Sequence, residues 1–304
     1  MARFRCTQRP VLFVAGLLLI AAFIPARAAG ISVVDDRGVR VTLAAPALNI
    51  VSLAPSITEL VFAAGAGAKL TGVPRFSDYP AAARSIAQIG DASRIDLERV
   101  LSLKPDLVVA WKTGNHAADF ERLERLGFVV FVAEPGTLAA IPRLLRAIAA
   151  LAGTREPAQH AAAEFERGIA ALDAQYRTRS PVRVFYEIWH QPLMTVSGQH
   201  LISDVIALCG GVNIFAATPA LTPVVSLESV IAARPEVVLG GSSATTPEEF
   251  IAPWLSDEHY AGLRNVHAMY VDPDYIQRQT PRVLRGARLV CEHLDTVRLT
   301  QRDR

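Results

Sequence analysis

The chain has 304 residues, of which 51% are hydrophobic and 20% charged, and a formal net charge of +2. This length is enough for two α/β lobes, each with its own core. The small positive balance belongs to the N-terminus: residues 1–28 contain four arginines and no acid, so the rest of the chain carries −2. The charge therefore gives no support to a nucleic-acid partner.

The N-terminal segment has the pattern of a secretory signal peptide. Basic residues precede an apolar run at 11–24, and Ala26-Arg-Ala28 provides a small-x-small cleavage site. The apolar run is too short for a membrane span. Cys6 precedes the run, whereas a lipid-anchored cysteine would follow it. We therefore expect residues 1–28 to be removed and the rest to be an exported, soluble protein.

One sequence cassette occurs twice, at residues 96–109 and 226–239. Each copy begins with a good helix N-cap, Asp96 or Ser226, followed by Leu-Glu. A proline nine positions after the cap interrupts the helix, because proline cannot continue the hydrogen-bond ladder. The apolar run that follows is typical of a buried parallel strand. The repeat predicts two related lobes.

The first half also contains a predicted hairpin, further strands and two further helices. Ser56 and Glu59 form a capping-box pattern at the start of the first of these helices. The remaining predicted elements are a hairpin at 31–43, strands at 49–53, 70–73 and 128–133, a loop at 75–80 and a helix at 118–126.

Residues 138–179 contain no strand pattern, and a long alanine-rich helix is predicted at 158–176. Because this stretch lacks a Gly/Ser-rich tract, it predicts a rigid connector. The second half then repeats the alternation of strands and helices. Strands are predicted at 182–188, 193–196 and 268–271, and helices at 200–209, 247–255 and 281–299.

Several motifs resemble the class III periplasmic solute-binding proteins, most closely those that bind cobalamin (vitamin B12). They occur in collinear order over the mature chain: Ser77-Asp-Tyr-Pro80, Leu97-Glu-Arg-Val100, Lys104-Pro-Asp-Leu-Val108, Ala110-Trp111, Cys209-Gly-Gly211, and Pro281-Arg282 leading to Cys291.

The resemblance implies an α/β fold of two Rossmann-like lobes joined by a single long helix, with ligand held in the cleft between them. It places an N-terminal lobe at 29–137, a helical connector at 138–179 and a C-terminal lobe at 180–304. It also implies a monomeric periplasmic protein that is not an enzyme, has no catalytic cofactor and delivers a corrinoid to the permease dimer of an ABC importer. Haem and ferric-siderophore receptors share this frame and remain alternatives.

Glu98 and Glu228 occupy the same position in the two cassettes. An acid in the first helical turn is favoured by the helix dipole, which is the simplest explanation for either residue. The resemblance implies a second role, in which one carboxylate per lobe meets arginines of a two-fold symmetric permease.

Five aromatic residues follow predicted strands, where ligands of α/β sheets bind. They are Phe76, Tyr79, Trp111, Trp189 and Tyr275. Any one could be a core residue, but together they favour a cleft for a broad apolar ligand such as a corrin ring. Trp254 lies in a helical stretch away from strand ends, and we expect it to be structural.

The segment after the last strand aligns with one that contacts cobalamin in the proteins that this chain resembles. It contains Asp274, Tyr275, Ile276, Gln277 and Arg278. A surface loop is the alternative. The chain departs from the resemblance at three positions: Gln277 replaces an acid, Tyr275 replaces a tryptophan and Phe76 replaces a tyrosine. These changes leave the exact corrinoid open.

Two cysteines remain after the signal peptide, Cys209 and Cys291. In an oxidising compartment an even pair predicts a disulfide, with two separate buried thiols as the alternative. His190 and His200 are candidate axial ligands for cobalt or haem iron, but neither has a recognised metal spacing, so no metal site is predicted. An exported hydrolase is the rival class, but no G-x-S-x-G, H-E-x-x-H or phosphate-binding glycine loop occurs.

Overall fold

The computed structural model describes residue 2 and residues 30–241, 246–256, 258–263 and 266–302. The predicted signal peptide lies, apart from residue 2, outside the described residues. None of the helices in the described ranges is long and apolar enough to cross a membrane.

The chain alternates strands and helices after an N-terminal hairpin. The strands are β1 (Ile31–Val34), β2 (Arg40–Leu43), β3 (Ile50–Ser52), β4 (Leu70–Gly72), β5 (Gly90–Asp91), β6 (Arg94–Ile95), β7 (Leu107–Trp111), β8 (Val130–Ala133), β9 (Val182–Glu187), β10 (Gly211–Asn213), β11 (Val237–Gly240) and β12 (His267–Tyr270). The helices are α1 (Pro55–Ala63), α2 (Leu97–Leu103), α3 (Ala117–Arg125), α4 (Ala140–Ala152), α5 (Arg155–Tyr176), α6 (Leu201–Leu208), α7 (Leu227–Ala232), α8 (Pro247–Ser256), α9 (Pro273–Ile276) and α10 (Val283–Arg302).

Two four-stranded parallel sheets have the same topology. The strand order is β4-β3-β7-β8 in the first lobe and β10-β9-β11-β12 in the second. In each lobe the first strand of the sheet is central, and the chain moves to one edge before it crosses to the other side. Each lobe is therefore a doubly wound α/β unit, and the predicted repeat is confirmed at the level of topology.

Both faces of each sheet are buried, which explains the nearly continuous apolar runs. Along β7, Leu107 and Val109 pack in the core that faces the connector, while Val108 and Ala110 pack against α2 and α3 on the other face. This two-residue alternation is the side-chain period of a strand. A strand covered on both faces needs apolar residues at every position.

The cassette repeats its backbone as well as its sequence. Asp96 accepts a hydrogen bond from the Arg99 amide, and Ser226 accepts one from the Ser229 amide, so both predicted caps are confirmed. Lys104 and Arg234, the residues before the two prolines, each have φ = +46°. A residue before proline is disfavoured in the right-handed helical region, and this left-handed turn ends the helix.

The acid after each proline accepts hydrogen bonds from the backbone of the neighbouring strand or of the residues just before it. The carboxylate of Asp106 accepts from the amides of Leu48 and Asn49, both at 2.9 Å, just before β3. The carboxylate of Glu236 accepts from the Arg183 amide at 2.6 Å in β9. One acid per cassette therefore sets the register of the central strand in its lobe.

The helix α5 joins the lobes. It packs on α4, which precedes it in the connector, on α1 of the first lobe and on α6 and α10 of the second. Gly168 permits the closest approach: a Cβ there would lie 2.4 Å from the Leu284 side chain of α10. A continuous core cluster runs from the first lobe through α4 and α5 into the second. The connector is thus part of a packed frame.

Cys209 and Cys291 form the predicted disulfide, with their Cα atoms 4.7 Å apart. The bond links the end of α6 to α10 and closes a loop of 82 residues. In the chain-entropy model, a loop of this length contributes about 4–5 kcal/mol by restricting the unfolded chain.

Two sequence expectations about the elements were wrong. Residues 193–196 do not form a strand; Met194 makes isolated bridges to Trp189 and to Val224. The second edge strand of this lobe is instead β10, a three-residue strand that begins at Gly211. The strand was not predicted because three residues are too few to show an alternation of buried and exposed side chains.

The capping box at α1 was also wrong. The helix begins two residues earlier than the pattern implies, and its N-cap is Ala54, whose side chain cannot accept a hydrogen bond. The Ser56 hydroxyl is buried without a hydrogen-bond partner among the described residues. Glu59 does not reach back to the helix start, because its carboxylate points into the second lobe.

Candidate functional site

Large aromatic side chains are exposed on both lobes near the carboxyl ends of the strands. Phe76 is 70% exposed and Tyr79 is 48% exposed on the first lobe, and Trp189 is 49% exposed on the second. In parallel sheets this edge is where ligands bind. Exposed aromatic rings of this size suit a broad apolar ligand.

The loop that carries Phe76 is held from below by a chain of hydroxyl groups. Ser52, at the end of β3, lies 2.8 Å from the Thr58 hydroxyl, and Thr58 lies 3.0 Å from the Ser77 hydroxyl. Phe76 has φ = +66°. A bulky residue in this region is strained, and such strain is concentrated at functional sites.

A cluster of ion pairs connects the lobes at the base of this loop. Glu59 of α1 is buried and accepts from Arg278 Nη1 at 3.0 Å. It also accepts two hydrogen bonds from Arg282, at 2.9 Å from Nε and 2.7 Å from Nη2. The Thr280 hydroxyl donates a further bond at 3.1 Å. One carboxylate of the first lobe thus holds two guanidinium groups of the second.

Two more carboxylates contact Arg278. Asp78, from the first-lobe loop, lies 2.6 Å from its Nη1, and Asp274 of α9 lies 2.9 Å from its Nε. Partial burial acts to raise the pKa of Asp78, but the hydrogen bond and the charge of Arg278 outweigh it and hold that pKa below its ordinary value. Burial acts to lower the pKa of Arg278, and its carboxylate partners raise it instead. Asp78 and Arg278 therefore stay ionised near neutral pH.

The tyrosines of the two lobes meet at Arg282. Its guanidinium lies 4.2 Å from the Tyr79 ring centre and 5.7 Å from that of Tyr275. A second guanidinium, of Arg285, lies 4.2 Å from the Tyr275 ring. The structure therefore brings together four predicted site residues, Tyr79, Asp274, Tyr275 and Arg278, around the guanidinium of Arg282.

An interlobe cavity of about 420 Å³ adjoins this cluster. The first lobe lines it with Glu59, Phe62 and Tyr79, the connector with Phe165 and the second lobe with Arg282. Its volume lies within the ~300–1,000 Å³ typical of small-molecule sites. The ion cluster thus forms one wall of a space that opens between the lobes.

Trp111 lies apart from the ion cluster, at the carboxyl end of β7. Its indole N–H donates to Glu134 at 3.2 Å, and its backbone N–H donates to Asn115 at 2.8 Å. Gly114 lies against the ring, because a Cβ there would lie 1.8 Å from a ring carbon. One side of the half-buried ring is therefore covered by the turn that follows it.

On the second lobe, Trp189 donates its indole N–H to the Gln191 carbonyl at 2.9 Å. Two residues earlier, the buried carboxylate of Glu187 accepts from the indole of Trp254 at 2.8 Å and lies 3.2 Å from His190 Nδ1. Burial raises the pKa of Glu187. Trp254 is fully buried, as expected for a structural residue. These contacts fix the backbone just before Trp189, since Glu187 is the last residue of β9.

Two members of the predicted 274–278 segment face the core. Ile276 is fully buried, so its side chain is a packing residue in this structure. The Gln277 amide donates to the hydroxyl of Tyr186 at 3.3 Å. The segment is a one-turn helix capped by Asp272, whose side chain accepts from the Asp274 amide. The helix aims Asp274 at the cluster and Ile276 inward.

The two candidate axial ligands differ in their surroundings. His200 is buried as the N-cap of α6, where its Nδ1 accepts from the Ile202 amide at 3.1 Å. Burial lowers its pKa to about 4. His190 is half-buried beside Glu187. No group of three or more His, Cys, Asp or Glu side chains that could hold a metal ion occurs among the described residues.

Glu98 and Glu228 are both exposed in the first turns of α2 and α7. Each helix leads directly into a strand, β7 or β11, so its C-terminal end lies at the amino edge of the sheet. The N-terminal end that carries the glutamate therefore lies toward the carboxyl edge, on the side of the cleft. The pseudo-symmetry of the lobes presents one carboxylate on each.

The chain matches the model of a periplasmic binding protein family over residues 50–265. The chain belongs to this family of periplasmic binding proteins. Among its curated relatives, a vitamin B12-binding protein of Vibrio campbellii is 39% identical over 253 residues, which cover 83% of this chain and 91% of the relative. A vitamin B12-binding protein of Photorhabdus laumondii is 36% identical, over 84% and 90%.

Solved structures agree with the family. The periplasmic vitamin B12 binding protein BtuF of Vibrio cholerae has a TM-score of 0.76 and 35% identity, over 83% of this chain and 98% of that one. The periplasmic heme-binding protein RhuT of Roseiflexus sp. RS-1 has a TM-score of 0.69 and 26% identity, over 82% and 98%. The two-lobed fold with a helical connector is therefore confirmed.

The sequence did not reveal two features of the cleft in this periplasmic binding protein. Glu59 was assigned to a helix cap, because its local pattern is complete without the second lobe. Val224 is 63% exposed and bridges to Met194, next to Trp189, and was not singled out. A single apolar residue in a proline-flanked loop carries no periodic signal. Both lie beside aromatic residues that the sequence did identify.

Proposed function

We propose that this protein captures cobalamin or a close corrinoid between its lobes and delivers it to an ABC importer. The observation that carries the proposal is the likeness to vitamin B12-binding proteins, at 39% identity over 91% of one relative. The proposed place of action is the periplasm, after removal of residues 1–28.

The geometry of the cleft supports a corrinoid. A corrin ring is broad and apolar on its faces, and Phe76, Tyr79 and Trp189 offer exposed rings for such contact. Its rim carries neutral amide groups. Asp274 and Arg278 supply fixed acceptors and donors for them near Tyr275. We propose that Trp111 contributes the exposed part of its ring at the first-lobe edge.

Binding requires no covalent step in this proposal. Each lobe buries part of the ligand surface, and apolar burial supplies most of the affinity. The packed connector restricts the lobes to a small closure, so little of the binding energy is lost in ordering the protein. Glu98 and Glu228 then dock the loaded protein on the two subunits of the permease.

The first test is calorimetric titration of residues 29–304 with cyanocobalamin, hemin and a ferric hydroxamate in parallel. We expect one-to-one binding of cyanocobalamin and no comparable heat from the other two ligands. Tight hemin binding without a cobalamin signal would overturn the corrinoid proposal and favour the haem alternative, and ferric hydroxamate binding alone would favour the siderophore alternative.

A further inference from the structure

The inference that follows rests on the proposed function and deepens it. The guanidiniums of Arg278 and Arg282 are in contact with three carboxylates among the described residues, those of Glu59, Asp78 and Asp274. The cluster thus has a formal excess of one negative charge. We propose that it selects chelates with an uncharged amide rim over chelates that carry carboxylates, and that Glu59 is the residue that sets this preference.

The hydrogen-bonding capacity of Glu59 is filled by the second lobe. Its two oxygens accept from both arginines and from Thr280, at 2.7–3.1 Å. The contact with Arg282 uses both Nε and Nη2, which is the fork that guanidinium offers to a planar carboxylate. A ligand carboxylate would need the same two donors, Nε and Nη2 of Arg282, to form a bidentate pair. Both already donate to Glu59.

The neighbouring charges do not reverse this balance. Arg285 lies against Tyr275, and Glu164 lines the interlobe cavity, so these two groups add opposite charges. On the first lobe, Arg75 lies over the Phe76 ring, and Arg84 Nε donates to the backbone carbonyl of Asp78 at 3.3 Å, so both guanidiniums lie beside the cluster without forming one of its described ion pairs. The five side chains joined by ion pairs therefore keep their formal excess of one negative charge.

The excess negative charge of the cluster acts differently on amide groups and on carboxylates at the rim of a ligand. An amide oxygen accepts a hydrogen bond from a guanidinium without adding charge, and an amide N–H donates to Asp78 or Asp274. A carboxylate adds a negative charge within a few ångströms of those acids, in a half-buried site where screening is weak. Discrimination of this kind comes from the repulsive element as much as from the attractive one.

The internal repeat provides a matched control residue. Glu59 in α1 and Asp204 in α6 each lie six residues before a glycine with positive φ, Gly65 or Gly210. Asp204 also contacts a segment outside its own lobe, because it accepts from the amide of Leu138, at the start of the connector, at 3.2 Å. Burial raises its pKa. It is a carboxylate at the equivalent place that contacts neither Arg278 nor Arg282 among its described hydrogen bonds and ion pairs.

The test compares cyanocobalamin with its monocarboxylic derivative, in which one rim propionamide is hydrolysed. Calorimetry of residues 29–304 gives the ratio of the two dissociation constants for the wild type and for Glu59→Gln, Asp78→Asn and Asp204→Asn. We expect the wild type to favour the amide form by at least about tenfold, and Glu59→Gln and Asp78→Asn each to reduce that ratio about tenfold. Asp204→Asn should leave the ratio unchanged.

The outcomes separate this inference from the proposed function. The inference alone is overturned if the wild type binds cyanocobalamin but Glu59→Gln and Asp78→Asn leave the ratio of the two dissociation constants unchanged. It is also overturned if Asp204→Asn changes that ratio as much as they do. Absence of cyanocobalamin binding by the folded wild type overturns both. If Glu59→Gln fails to fold, as judged by circular dichroism, Asp78→Asn carries the test, because the Asp78 side chain is 42% exposed.

Discussion

Phe76 combines two unfavourable features, a left-handed backbone and a mostly exposed aromatic ring. For a residue with a Cβ, that backbone costs about 1–2 kcal/mol. The exposed ring recovers little of this cost through burial. The hydroxyl chain through Thr58 and Ser77 maintains the loop in this shape. A ligand that covers the ring is a physical reason for retaining both features.

Replacement of Phe76 by glycine should separate stability from binding. Because glycine adopts positive φ without strain, we expect Phe76→Gly to leave the free energy of unfolding unchanged or raise it by about 1 kcal/mol. Phe76→Ala keeps the strain and should not be stabilised. Both variants should bind cyanocobalamin about tenfold more weakly, because both lose the ring. Urea unfolding and calorimetry measure the two effects, and a clear destabilisation by glycine would identify the ring as a packing residue instead.

The helices α1 and α6 occupy equivalent positions but begin differently. The N-cap of α1 is Ala54, which has no capping side chain, whereas α6 is capped by the buried imidazole of His200. The imidazole must be neutral to accept the Ile202 amide, and burial reinforces this by lowering its pKa to about 4. Folding at α6 therefore disfavours a proton that the unfolded chain accepts with an ordinary histidine pKa.

This difference in proton binding predicts a loss of stability in acid. As the pH falls from about 6.5 to about 4, the unfolded state takes up a proton that the folded state refuses, so stability falls through that window. His200→Asn retains a capping oxygen and does not titrate. Between pH 7 and pH 4.5 the wild type should lose about 2 kcal/mol more unfolding free energy than the variant. Denaturant curves at the two pH values measure this, and parallel losses would contradict the assignment.

Across the molecule, the lobes behave as parts of one frame. A continuous core passes through α4 and α5. From equivalent helices, Glu59 reaches Arg278 of the second lobe and Asp204 reaches Leu138 of the connector. A frame of this kind limits how far the cleft can open on its own. The proposed permease contacts, one on each lobe, are well placed to apply force to both lobes at once.

The docking role predicts a defect in transport that spares ligand binding. Glu98→Ala with Glu228→Ala should leave the affinity for cyanocobalamin unchanged, because both residues lie on helix N-termini outside the ion cluster. Affinity for the importer in proteoliposomes should fall about tenfold for each carboxylate removed. Glu121→Ala with Glu156→Ala removes two exposed glutamates on α3 and α5 and is the matched control. Equal transport by the two double variants would exclude the docking role.

Much of the fold was readable because its determinants are local. An N-cap acts within three residues, a proline acts on its own turn, and apolar periods of two and 3.6 residues distinguish strands from helices. The doubled cassette, the connector and the aromatic residues after strands follow from such patterns. The elements that were missed were short: the three residues of β10 and the single turn of α9 are each too brief to show a period.

The site depends on contacts that no local pattern contains. The sequence Ser56-Ile-Thr-Glu59 has the form of a complete helix cap, yet Glu59 takes its partners from residues 219 to 223 positions away. That pairing exists because two lobes pack on one connector and bring α1 against the residues after α9. The residue types and their spacing were sufficient to predict two lobes, because these follow from the local hydrogen bonding and periodicity of each segment. The family resemblance rested on the collinear motifs. The charge of the cleft wall was decided by the tertiary structure, because a buried carboxylate must pair with a cation, and its cations come from the opposite lobe only when the two lobes pack together.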